Sequence, residues 1–216
     1  MKQLNQTCTW HGALLIIAAL VITSCASTGM QRSQDTRTTM ETMDNDIQEA
    51  SRQLDATEAS LEALMRPSQT DVKQAFESYS ENVEKMVAME KKFAKHAEEM
   101  KAKGIEYFEE WEKEGNEYNN PQIQQLSEQR RAALGKIYDK IAENSIGVDE
   151  AFKTYTSDVK EIQTFLSNDL TTKGISAIAP TSEEVVKDGN RLKYAMQDLQ
   201  TAIQNARAEM SQTSSN

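Results

Sequence analysis

The sequence is poor both in residues that build chemical sites and in residues that make turns. Its two cysteines, Cys8 and Cys25, stand at the N-terminal edge, so the remainder has no disulfide and no thiol for redox or nucleophilic work. Histidine occurs only as His11 and His96. A metal site or a general base needs convergent partners, and a di-iron bundle would want Glu-x-x-His pairs. The residue three before His96 is Phe93, so the metal reading fails and His96 is expected on a polar helix face. No Gly-rich phosphate loop and no serine in a nucleophile-elbow setting is found. No catalytic residue, cofactor or metal is assigned, and the chain is expected not to be an enzyme. With 8 Gly, 3 Pro and recurrent Ala, Glu, Lys, Gln and Met, there is little to interrupt helices.

Long hydrophobic runs are also missing, with one exception. Lys2 gives a short positive start, and Gly12 to Ile22 form an apolar run of signal-peptide length, short of the ~20 residues that span a bilayer. The run closes on Ile22-Thr23-Ser24-Cys25, which resembles the bacterial lipobox. That resemblance implies cleavage between Ser24 and Cys25, with Cys25 lipidated and becoming the mature N-terminus. Three acyl chains at ~0.8 kcal/mol per buried methylene would anchor the protein stably. An uncleaved anchor reaching back through Trp10 and His11 is the alternative. Ala26 is not the Asp that resembles an inner-membrane retention signal, so the expected location is the outer membrane, periplasmic face.

Positive charge is in deficit. The net charge is −10, and loss of the leader removes Lys2 and no acid, making it −11. Such a chain repels nucleic acid and anionic lipid headgroups, which bind through Lys and Arg. Nucleic acid is therefore not an expected partner, and membrane contact is assigned to the acyl chains.

The body reads as heptads. Met40, Met43, Ile47, Ala50, Leu54, Thr57, Leu61 and Leu64 step by three and four, and Pro67 ends the run. Thr70 is a candidate N-cap for a second seam, from Val72 through Phe76, Tyr79, Val83, Met86, Phe93, Ala97, Met100, Tyr107 and Trp111. Glu90 and Gly104 interrupt it, and Gly115 caps its end. Asn120 before Pro121 starts a third helix, whose seam runs from Ile123, Leu126 and Arg130 through Leu134 and Ile141 to Leu166. Its phase slips near Gly147, read as local unwinding in one helix, with a true break as the rival. Lys173-Gly174 is expected to end it, and Ile175, Ile178 and Pro180 to form an apolar loop. Thr181 and Glu184 then read as a capping box before a last seam from Val185 to Met210. The fold class is all-α, an elongated antiparallel helical bundle or coiled coil of three to four long helices. The expected organisation is a signal peptide over 1–24, a lipidated cysteine and flexible tether over 25–34, the bundle over 35–211, and a disordered tail over 212–216.

Six glutamates from Glu106 to Glu117 interleave with Tyr107, Phe108, Trp111 and Tyr118. The plain reading is a solvated acidic face beside a packed aromatic rib. The functional one makes Trp111, Tyr107 and Tyr118 candidate partner-binding residues. Glu90 and Arg130 are candidates to pair across helices and set register.

Taken together, Glu109-Glu-Trp111-Glu, Tyr118-Asn-Asn-Pro121, Gln129-Arg-Arg131 and Phe165-Leu-Ser-Asn168-Asp-Leu170 resemble a family of exported bacterial coiled-coil proteins known only as a domain of unknown function. The resemblance spans about Val72 to Met210 and implies a leader, a helical body and no established active site. The plan is also similar to that of the murein lipoproteins, but those end in the lysine linked to peptidoglycan, whereas this chain ends Ser214-Ser215-Asn216. The expected role is a membrane-anchored spacer, scaffold or adaptor for envelope proteins, with protein partners or self-association through its helices. The alternative is a carrier or sensor holding a lipid or other apolar ligand in a Met-lined groove.

Overall fold

Four long helices account for nearly all of the 29–66 and 70–211 segments that the computed structural model describes: α1 Gly29–Met65, α2 Val72–Gly115, α3 Pro121–Asn168 and α4 Thr172–Ser211. At ~1.5 Å per residue, the 48-residue α3 is about 70 Å long. The expected leader, the cleavage site at Ser24 and Cys25, the lipid-bearing Cys25 and the tail 212–216 lie outside the described residues.

Each narrow apolar stripe needs partners on two sides, and four rods satisfy this by closing a square. α1 packs on α2 and α4, α3 packs on α2 and α4, and among the described residues the backbones of the diagonal pairs stay apart, with only long side chains reaching across. Neighbours run antiparallel. Across α1 and α2, Lys92 donates to Glu49 at 2.6 Å, while Gln53 further along α1 meets Asn82 earlier on α2. Across α3 and α4, Arg130 pairs with Glu209 and Asn144 donates to the Asp198 carbonyl at 3.0 Å. The connections are short, as an up-down-up-down bundle requires.

The seams supply the core. Met40, Met43, Ile47, Leu54, Leu61 and Leu64 of α1 are buried against Tyr79, Val83, Met86, Phe93 and Met100 of α2 and their counterparts on α3 and α4. Tyr79 satisfies its buried hydroxyl by donating to the Val159 carbonyl at 2.7 Å. The six seam methionines, Met40, Met43, Met86, Met100, Met196 and Met210, are all buried.

Several local expectations need correction. α1 starts at Gly29, so residues 29–34 are helix and not tether. Its seam extends back through Thr36 and Arg32, polar residues that hide the heptad; Arg32 donates to Glu114 at 2.6 Å. Asp71, not Thr70, caps α2 by accepting from the Gln74 amide at 2.9 Å. Gly115 is the last helical residue of α2, and Asn116 follows as its C-cap. The expectation of a single third helix holds, since α3 is continuous through Gly147 and the rival break does not occur.

The largest departure concerns the third connection. α3 stops at Asn168 and α4 begins at Thr172, with Thr171 accepting from the Gly174 amide at 3.1 Å. The expected loop Ile175 to Pro180 is therefore helix, and Thr181 and Glu184 are interior residues rather than a capping box. Pro180 and Ser176 both lie on the exposed face, so the carbonyl that proline leaves without a donor is open to water. The inner face reads Gly174, Ser182, Val185, Gly189 and Leu192, small residues alternating with large ones, which hold the seam together past the proline.

Candidate functional site

The acidic and aromatic residues gather at the end of the bundle where α1 starts, α2 ends, α3 starts and α4 ends. The aromatic ones pack together there around Gly104. A methyl at that position would lie 2.2 Å from Cε1 of Tyr138, so glycine is what lets α3 seat its tyrosine ring on the α2 backbone. Phe108 packs edge-on to Tyr138 at 5.2 Å, Tyr107 edge-on to Phe108 at 5.2 Å, and Tyr107 against Trp111 at 5.6 Å. This chain of rings is a structural rib. Burial pushes the phenol of Tyr107 up, with Arg130 and Arg32 opposing, and burial pushes that of Tyr138 up further.

Trp111 is half-buried and spends its indole N–H on Ser127 Oγ at 3.0 Å, tying α2 to α3. Of the three candidate partner-binding residues, Tyr107 and Trp111 are therefore committed to packing. Only Tyr118, in the α2–α3 connection, presents an exposed ring. The glutamates are partly neutralised from within, Glu114 by Arg32 and Glu112 by Arg131 at 3.6 Å.

Glu90 and Arg130 do not meet. Glu90 accepts from Thr156 Oγ1 at 2.6 Å, while Arg130 pairs with Glu209 and donates to its carbonyl at 3.0 Å. Both fix register as seam polar residues do, each with a partner other than the one expected.

His96 also departs from expectation. It does not sit on a solvated face but is half-buried, with Nδ1 hydrogen-bonded to Asp46, whose side chain is only 3 % exposed. Lys92 reaches the other Asp46 oxygen at 3.0 Å and Glu49 at 2.6 Å, and those two hydrogen bonds raise the lysine pKa. A buried carboxylate is tolerated only when paired, and here the Lys92 ammonium and the His96 ring, both from α2, cover one α1 carboxylate. Asp46 sits directly beside Ile47 of the heptad run, where the seam hides it.

A second polar group is set into the far half. Glu58 lies over Gly189, whose Cβ would come within 2.1 Å of Glu58 Oε1, and close to the ring of Tyr155. Burial raises the Glu58 pKa, Lys193 opposes, and Asp55 adds to the rise. Among the described residues no group of His, Cys, Asp or Glu is arranged to hold a metal ion. No described helix is long and apolar enough to cross a membrane.

A family model described as "Protein of unknown function (DUF2959)" matches residues 23–212. Neither a curated protein nor a solved structure matches the chain.

Proposed function

Starting from a chain that belongs to the DUF2959 family, we propose that this protein is a non-enzymatic, lipid-anchored envelope protein, a helical spacer or scaffold for other envelope proteins. The observation that supports it most is the junction of leader and rod. Only residues 26–28 lie between Cys25, the acceptor in the lipobox-like sequence, and the start of α1 at Gly29. A lipid at Cys25 would hold one end of a rod about 70 Å long against a bilayer and project the other end away from it.

The closed interior supports a scaffold over a carrier. The seam methionines that would line a ligand groove are packed among Phe93, Phe152, Leu192 and Leu199. A groove of about 460 Å³ opens between α1 and α2, lined by Glu49, Arg52, Gln53, Lys85, Ala88 and Met89. Polar walls of this kind suit protein contact better than an apolar ligand. The absence of an Asp after Cys25 supports outer-membrane sorting, facing the periplasm.

Affinity capture of the lipidated protein, with mass spectrometry of both proteins and lipids, tests the reading. Specific protein partners without a stoichiometric apolar ligand are expected. A tightly held lipid that raises the unfolding temperature when added would favour the carrier. Fractionation wholly into the inner membrane would refute the sorting.

A further inference from the structure

At the end of the bundle where α1 starts, α3 stays packed on α2 but runs past α4. Arg130 meets Glu209, and the described part of α4 ends at Ser211, so the first two turns of α3 lie beyond the last described turn of α4. Ile123 and Leu126 sit on the same three-four spacing that continues through Arg130 to buried Leu134. The face that α3 buries runs through half-buried Ser127 and Arg131 to Leu134 and Ile141, which leaves Ile123 and Leu126 beside it, 48 % and 65 % exposed. This corrects the expectation that the seam packs from its first residue. Tyr118 in the adjoining connection and Met30 at the start of α1 are exposed at the same end, which makes an apolar tip.

The residues that directly flank this end are not apolar. Residues 26–28 are Ala-Ser-Thr and residues 212–216 are Gln-Thr-Ser-Ser-Asn, small or polar throughout. Four residue steps from Cys25 to Gly29 reach at most about 14 Å, at ~3.5 Å per step. A lipid on Cys25 would thus bring Ile123, Leu126 and Tyr118 to the bilayer surface with no room to withdraw.

Resting on the Cys25 reading, we propose that the tip formed by Met30, Tyr118, Ile123 and Leu126 is a second membrane contact, seated in the headgroup layer of zwitterionic phospholipid. Charge selects the lipid. Glu112, Glu114, Glu117 and Glu128 flank the tip and repel an anionic surface, with Arg32 and Arg131 already engaged by Glu114 and Glu112. Tyrosine suits an interface because its ring is apolar and its hydroxyl can stay wet.

The test uses the full lipidated chain with Tyr118→Trp as reporter and Trp10→Phe and Trp111→Phe to silence the native tryptophans. Circular dichroism checks that the bundle is intact. The protein is reconstituted into phosphatidylcholine vesicles brominated in the acyl chains near the headgroup. The reporter should be quenched, Ile123→Ser with Leu126→Ser should lose most of that quenching, and adding phosphatidylglycerol should weaken it. Vesicle flotation and intact mass on the same samples separate the two claims. Protein that floats, carries lipid on Cys25 and shows no quenching overturns the tip contact and leaves the anchor standing. Protein that does not float, with a bare Cys25, overturns both. A dimer in detergent that the two serines abolish would overturn the membrane contact in favour of a second copy.

Discussion

Substituting Gly104 with alanine should destabilise the bundle, although alanine is the better helix former. The added methyl would lie 2.2 Å from Cε1 of Tyr138 and 3.0 Å from Cδ1 and Cζ. Carbon atoms in good contact stand ~3.5–4.0 Å apart, so the ring must retreat by roughly an ångström or more. Its escape is blocked by Phe108, which packs against it edge-on at 5.2 Å and is itself backed by Tyr107. Overpacking of this kind costs ~1–3 kcal/mol, against ~1 kcal/mol gained in helix propensity. The net expectation is a loss of up to about 2 kcal/mol, at about 2–4 °C of melting temperature per kcal/mol. With Tyr138→Ala in place the obstacle is gone and only propensity remains, so the same substitution should stabilise by ~1 kcal/mol. Urea unfolding followed by far-UV circular dichroism on the two single variants, the double variant and the parent reads this reversal of sign. Stabilisation of the parent by Gly104→Ala, or the same sign in both backgrounds, would refute the packing argument.

Glu58 should make stability depend on pH. Its folded pKa is raised, so its contribution is complete below the ordinary glutamate range and is lost as pH climbs through the folded value. Glu58→Gln should flatten that decline and be the more stable protein at neutral pH; an unchanged profile in chemical denaturation would count against it. Lys92→Met with His96→Leu strips both hydrogen-bonding partners from buried Asp46 and should cost ~3–5 kcal/mol, most of it recovered when Asp46→Leu is added. Failure of the third change to restore the unfolding midpoint would show that the cluster is not what holds that stretch of α1 to α2. Asn120 accepts from the Gln122 amide at 2.9 Å, so Asn120→Ala should lower stability by ~1 kcal/mol and speed amide exchange in the first turn of α3.

The heptad steps make most of this fold legible, because a rod with a narrow apolar stripe has few ways to bury it. Where polar or small side chains occupy the stripe, the legibility fails. Thr36 and Arg32 extend α1 unseen, since a buried arginine looks like solvent-facing sequence until Glu114 is found across the interface. The expected loop before Pro180 misreads a seam built on Gly174, Ser182 and Gly189, whose value lies in close approach and not in hydrophobicity. Asn120 and Pro121 were readable as a helix start because the cap is local. Thr181 and Glu184 spell an equally good cap, but tertiary packing carries the helix straight through them. At the site, Trp111 and Tyr107 are visible from composition, yet their commitment to the rib depends on Gly104 and Ser127, which lie on elements the sequence alone does not bring together. Tyr118 alone stays free, and with Ile123 and Leu126 it marks the end that faces the proposed bilayer.

That orientation, and the role of a rod held by one end, both depend on the modification of a single sulfur. Intact-mass analysis of the protein extracted from its native membrane measures this directly. The account predicts a chain beginning at Cys25 and heavier than its sequence by a lipid modification, while a chain that keeps its leader, or begins at Cys25 with the thiol unmodified, would contradict it.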